Sequence, residues 1–247
     1  MNTTRMNTFA VEQVREPRSG FFDPSFYFGM SLVIALVVVY GFSHTINAGL
    51  IHPRSPRPLV LYFHAVIFSL WVLFFILQSA LIRTRNVKLH RQLGWLGFWL
   101  GVSIPVIGIA TTIAMTRLVM QEGRADAMQF MVVPFFDMAS FTVAFALGIL
   151  NRKRLEFHRR LMLIATCSLT AAAFGRFPDA LIPRHWFYAG VDGLILLGMV
   201  RDLLVRKRIH PVYLFGLPML VAGQAAAMVT WLRSGQMWMR LAHAIVG

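Results

Sequence analysis

Few ionisable side chains in this 247-residue chain fall where chemistry needs two groups together: it has 8 histidines and 10 acidic residues. His44 and His64 form one such pair. They lie at similar depth in two successive apolar runs, and two imidazoles on neighbouring helices are what a bis-histidine haem b site uses. A copper or zinc site needs a third ligand, which Asp137 could supply. A second group is Asp137, Asp192 and Arg176, in or at the ends of later runs. Ionisable residues inside membrane helices are costly unless paired or hydrated, so these three could line one polar pocket. The carboxylates then serve either as a protonatable pair or as structural glue neutralised by Arg176 or the histidines.

Two near-identical phrases stand at the entrances of apolar runs, Leu89-His90-Arg91-Gln92-Leu93-Gly94 and Phe157-His158-Arg159-Arg160-Leu161-Met162, with a looser third, Ile209-His210-Pro211. Long basic side chains at such entrances anchor a helix at lipid headgroups. The sharper alternative is a cytoplasmic-face site for an anionic headgroup, phosphate or quinone, built from His90, Arg91, His158, Arg159, Arg160 and His210, with histidine carrying protons. Gln78 and Asp202 would join it. Asp202 beside Arg201 reads equally as an interfacial ion pair.

Other chemistry loses its support. The chain has no phosphate-cradling glycine loop, no His-Glu-x-x-His and no nucleophile elbow, so no catalytic set is assigned. Its one cysteine, Cys167, excludes an intrachain disulfide framework and reads as packing. The net charge of +14 does not point to nucleic acid, because no soluble stretch is long enough to present a basic surface.

The elements that position these residues follow from the apolar runs. Hydrophobic residues make up 57% and charged residues 14%, against about 25% charged in soluble domains. Runs of about 20 apolar residues can each cross a bilayer. Spans are expected at 26–49, 59–82, 93–118, 130–150, 161–174, 187–205 and 212–232, giving an all-α, polytopic bundle of seven transmembrane helices. A polar arm over 1–25 precedes the membrane domain over 26–232, and a short tail over 233–247 follows it. No cleavable signal peptide is expected, and the first run should remain as an anchor.

Lys and Arg number three in the arm, four between spans two and three, five between four and five, and four between six and seven. These sixteen of the 24 basic residues share one side, leaving eight on the other. The positive-inside rule makes the N-terminus cytoplasmic. Spans two to seven then form three hairpins of one orientation. His64, Asp137 and Asp192 mark their first helices and His90, His158 and His210 their second, as in parallel repeats around the membrane normal. Pro105, Pro134 and Pro218 are expected to kink spans three, four and seven. Gly97 and Gly101 form a small-residue pair for close helix packing within the monomer or across a homodimer.

The segments Phe63-His64-Ala65, Phe75 to Gln78, both His-Arg phrases, and Asp202 with His210-Pro211 resemble a family of uncharacterised bacterial inner-membrane proteins. The resemblance covers about residues 58–216. Family members read His-Arg-Arg-Leu-Gly at the first phrase, so Gln92 is a departure. The resemblance implies a multi-pass inner-membrane location and transfers no mechanism. The His-Arg motifs alone are similar to those of membrane proteins of cytochrome oxidase maturation. The functional expectation is therefore redox-linked: haem or metal binding through His44 and His64, or assembly of a respiratory enzyme. The alternatives are a proton-coupled small-solute transporter using Asp137 and Asp192, and a structural or lipid-interacting membrane protein. Membrane lipid is the expected partner, with a membrane-protein partner or a second copy beside it.

Overall fold

The computed structural model describes residues 22–124 and 126–247, and no strand occurs among them. The polar arm expected over 1–25 lies, as far as residue 21, outside the described residues. Ten α-helices follow: α1 Phe22–Ser43, α2 Leu59–Arg83, α3 Val87–Gln121, α4 Ala127–Phe130, α5 Val132–Leu150, α6 Leu155–Ser168, α7 Ala171–Phe174, α8 Phe187–Arg206, α9 Pro211–Leu232 and α10 Gln236–Val246. A π-helical turn, Asn47–Ile51, lies between α1 and α2.

Local sequence sets the ends. Pro58 precedes the first turn of α2. The α2–α3 reversal passes through Arg85 at φ 61°, and the Asn86 side chain then accepts from the Leu89 N–H to cap α3. α8 stops at Lys207, which is left-handed. His210 caps α9, with Pro211 at its first position, where the missing N–H costs nothing.

Five segments are long and apolar enough to cross a membrane: Ser25–Ser43 of α1, α2, α3, the run Ala127–Leu150 spanning α4 and α5, and α9. The other two expected spans are helical but differ in kind. The run expected over 161–174 is broken by a turn between α6 and α7 and is the most buried stretch among the described residues: Leu163, Ala165, Cys167 and Ala173 are wholly inaccessible. Helices shielded by neighbours need no lipid-facing apolar surface, so α6 carries Arg160, Thr166 and Ser168 inside the protein. α8 holds Asp192, Arg201, Asp202 and Arg206 within its 20 residues, too many charges for a helix facing lipid alone.

α6 is the axis, with α5, α8 and α9 around it, and α2–α3 packed outside α5. Contiguous large apolar side chains cover the outside, among them Leu36, Val39, Val66, Leu73, Trp99, Val106 and Met219, a surface soluble monomers avoid. Close approaches rest on small residues. A Cβ on Gly41 would collide with the backbone carbonyl of Ala173, which brings α1 onto α7. Gly97 faces the Phe74 ring and Gly101 the Phe145 ring, so both receive side chains of the same chain.

Pro105 and Pro218 lie inside α3 and α9. Pro134 instead sits in the first turn of α5, where proline is tolerated; the helical break comes before it, at Met131. The segment expected as a tail is the helix α10. Its Ala242 and Val246 pack on Met128 and Met131, the Trp238 indole N–H donates to the Met128 carbonyl at 3.1 Å, and Arg117 donates to the carbonyls of Val246 and Ile245 at 3.0 and 3.2 Å.

Candidate functional site

His64, Asp137 and Asp192 are each the sixth residue of their helices, α2, α5 and α8. At a rise of about 1.5 Å per residue each stands roughly 7.5 Å from its helix start. Asp137 is 8% exposed and its Oδ1 accepts from the Tyr188 hydroxyl at 2.9 Å. Asp192 is half-buried, and its Oδ1 accepts from the Gln224 amide at 3.1 Å. Tyr188 and Asp192 are four residues apart and so share a face of α8, which joins α5, α8 and α9 through neutral donors. Among the described residues, neither carboxyl has a cation within ion-pairing distance. Arg176 turns elsewhere: its Nε donates to the Thr45 hydroxyl at 3.2 Å, Nη1 donates to the Ala172 carbonyl, and the guanidinium covers the Phe42 ring at 4.4 Å.

The two histidines of the haem expectation have different surroundings. His44 lies just beyond α1 and is exposed; its Nδ1 donates to the Tyr40 carbonyl at 2.8 Å, leaving Nε2 with its lone pair. His64 is half-buried and stacked on Phe68 at 3.9 Å between centroids, and its buried Nδ1 has no hydrogen-bond partner among the described residues. No cluster of three or more His, Cys, Asp or Glu able to hold a metal occurs among the described residues.

The opposite end of the bundle holds a denser network. Arg160 is wholly inaccessible, as is Asp202. Arg160 donates through Nε to Oδ2 at 2.8 Å and through Nη2 to Oδ1 at 2.6 Å, a bidentate pair tying α6 to α8. Arg201 adds a third donor to Asp202 at 2.7 Å. Glu156 is a hub, its Oε2 accepting from Arg159 and Arg160 at 2.6 Å and pairing with Arg206 at 2.8 Å. Burial alone would raise the Glu156 pKa, but the Arg160 hydrogen bond and the charges of Arg159, Arg160 and Arg206 hold it below the ordinary value. Tyr213 lies under the Arg160 guanidinium and Tyr27 under Arg159. His210 accepts from the Val212 N–H through Nδ1 at 3.2 Å; burial first, then the charge of Arg160, lowers its pKa.

The expected cytoplasmic-face set is thus divided. Arg159 and Arg160 are engaged by carboxylates, His210 by a helix cap, and Arg91 is exposed. His90 and His158 are each the fourth residue of their helices, but their ring nitrogens are engaged differently. His158 donates from Nδ1 to the Gly148 carbonyl at 2.8 Å, and His90 lies within electrostatic reach of the Gln78 carbonyl and of His158.

Sequence reasoning missed Tyr188, Gln224 and Glu156. Gln224 carried a signal, being a lone amide in an apolar span, and Glu156 carried one in its three- and four-residue spacing to Arg159 and Arg160. Tyr188 carried only its one-turn distance from Asp192. Comparison with protein-family models, with curated proteins and with solved structures finds no match.

Proposed function

We propose that this chain is a seven-helix protein of the bacterial inner membrane, N-terminus cytoplasmic, and that Asp137 and Asp192 couple proton binding to the movement of a small solute. On this reading α6–α7 and α8 complete the seven spans, and three hairpins, α2–α3, α5–α6 and α8–α9, repeat around the membrane normal. The basic-residue count supports the orientation. The common sixth-residue placement of His64, Asp137 and Asp192, and the common fourth-residue placement of His90 and His158, support the repeat.

One observation carries the proton-linked reading: a buried carboxyl group, Asp137, whose hydrogen-bond partner is a tyrosine and not a cation. A carboxyl in dry, uncharged surroundings keeps its proton and releases it when water or a cation enters. Asp192, reached along the same face of α8, is the next station. The test is proton flux into proteoliposomes loaded with a pH-sensitive dye after an external acid jump. The expected result is protein-dependent acidification that Asp137→Asn abolishes and Asp137→Glu partly keeps. Equal flux through the wild type and Asp137→Asn removes Asp137 from the pathway.

A second reading keeps the redox expectation, favoured by His44 and His64. The Tyr40 carbonyl fixes the His44 ring with Nε2 available to a metal, and the His64 Nδ1 is buried without a partner. An absorption spectrum and metal analysis of detergent-purified protein test it. A Soret band lost in His64→Ala supports it; a colourless, metal-free protein unaltered by added haemin refutes it.

A further inference from the structure

One face of α2 carries buried polar atoms that find no partner among the described residues. His64, Trp71 and Gln78 follow at seven-residue intervals and therefore share a stripe, and the His64 Nδ1, the Trp71 indole nitrogen and both ends of the Gln78 carboxamide are all unpaired. An unpaired buried polar atom forfeits the hydrogen bonds it would make to water. Gln78 concentrates this cost, with a donor and an acceptor on one group. Across the hairpin from it stands His90, whose buried Nδ1 is unpaired as well. Beside His90 is His158, whose Nδ1 donates to Gly148 and whose Nε2 is consequently an acceptor.

Room exists at the same turn. Gly94, Gly101 and Gly108 lie at seven-residue intervals along α3. The Phe145 ring fills the space at Gly101 and the Met138 side chain the space at Gly108. At Gly94, one turn from His90, an added Cβ would meet no atom of another element within 4 Å. Phe74 and Phe75 lie one turn from Gln78 toward the membrane centre, so the walls are aromatic and apolar.

We propose that Gln78, His90 and His158 form a binding site, opening beside Gly94 at the inner end of α2 and α3, for an uncharged quinone with an apolar tail. The carboxamide N–H of Gln78 donates to a ring carbonyl oxygen. The His158 Nε2 accepts from a ring hydroxyl when the reduced form binds, and the tail leaves between α2 and α3 into lipid. An anionic head fits poorly, because the neighbouring guanidiniums of Arg159 and Arg160 are held by Glu156 and Asp202 and Arg91 is exposed. The site is at the other end of the bundle from Asp137, and it stands whether or not Asp137 carries protons.

The experiment is a titration of the full chain in nanodiscs with a benzoquinone bearing a short alkyl tail, read by the saturable part of tryptophan quenching. The expected result is saturable binding, weakened about tenfold or more in Gln78→Leu, the equivalent of one or two lost hydrogen bonds, and unchanged in Asp137→Asn. Gly94→Leu, which adds bulk where no atom stands, is expected to weaken binding while leaving the melting temperature unaltered, and it decides the matter if Gln78→Leu folds poorly. Gln78→Leu should melt no lower than the wild type, because it removes an unpaired amide. Quenching that never saturates, saturable binding unaffected by Gly94→Leu, or displacement of the quinone by inorganic phosphate or phosphatidylglycerol overturns the assignment.

Discussion

Replacing Asp202 by alanine should be among the most damaging single substitutions in this protein. The change removes both acceptors of the Arg160 fork and the acceptor of Arg201, three charge-assisted hydrogen bonds of 2.6 to 2.8 Å. Arg160 would then keep its bonds to Glu156, but its Nε and Nη2 would be stranded in a place with no access to water. Breaking a buried ion pair from one side costs about 3–5 kcal/mol. The upper half of that range is not expected, because Glu156 continues to neutralise part of the guanidinium, so the expected loss is about 3 kcal/mol. The paired change Arg160→Leu with Asp202→Leu removes both charges and should cost much less than the two single changes combined, since apolar replacement of a whole buried pair is often neutral. The assay is reversible unfolding in mixed micelles across the double-mutant cycle, with coupling expected at about 2–3 kcal/mol. If Asp202→Ala lies within about 1 kcal/mol of the wild type, or the two changes are additive, the pair is not what joins α6 to α8.

Acid should loosen the same end in two steps. His210 is held below its ordinary pKa, so its contribution is intact above about pH 6.5, the unfolded value, and is lost as pH falls through its lowered folded value, where a protonated Nδ1 no longer accepts from Val212. Glu156 is also held low; its contribution is present above about pH 4.3 and is lost as pH falls through its lowered folded value. Hydrogen exchange at the α9 N-terminus should show the first step, and His210→Ala should remove it. Gly41→Val should separate α1 from α7 by forcing a side chain onto the Ala173 carbonyl, at a cost of about 1–3 kcal/mol, read as a lower melting temperature; an unchanged value would show that α1 shifts freely. Ala242→Glu places a charge where α10 is wholly buried, so limited proteolysis should clip the chain within α10 in the variant and spare the wild type. Arg117→Ala, which removes the two bonds to the last carbonyls of α10, should have a milder form of the same effect.

Helix content and the lipid-facing runs were legible in the sequence because length and hydropathy decide them locally. The identity of the axis was not. Residues 161–174 looked like an ordinary span, yet α6 is surrounded by protein, and whether an apolar residue faces lipid or a neighbour leaves no mark on its type. Which apolar run holds each of His64, Asp137 and Asp192 was legible too, although the start expected at 130 places Asp137 eighth and the break at Met131 makes it sixth. What each group touches was not, because the partners Tyr188 and Gln224 are 51 and 32 residues away in sequence. Arg160 was read as a basic doorway residue beside lipid headgroups. Its neighbour Arg159 keeps partial access, while the 100° rotation between successive helix positions turns Arg160 inward onto Asp202. C-terminal residues 236–246 read as a tail because their amphipathic pattern is short and follows a long apolar span.

The 42-residue separation of Arg160 and Asp202 has a consequence for how the chain is made. On the seven-helix reading, α6 emerges from the ribosome carrying two arginines and one glutamate, and is a poor candidate for release into lipid by itself. The second neutralising carboxylate, Asp202, is synthesised only when α8 follows, and α8 is itself too charged to be retained alone. The two segments therefore become membrane-stable together, with α6 sheltered beside α5 until α8 arrives. Insertion of this protein is then a non-sequential process, in which the most central helix is among the last to settle.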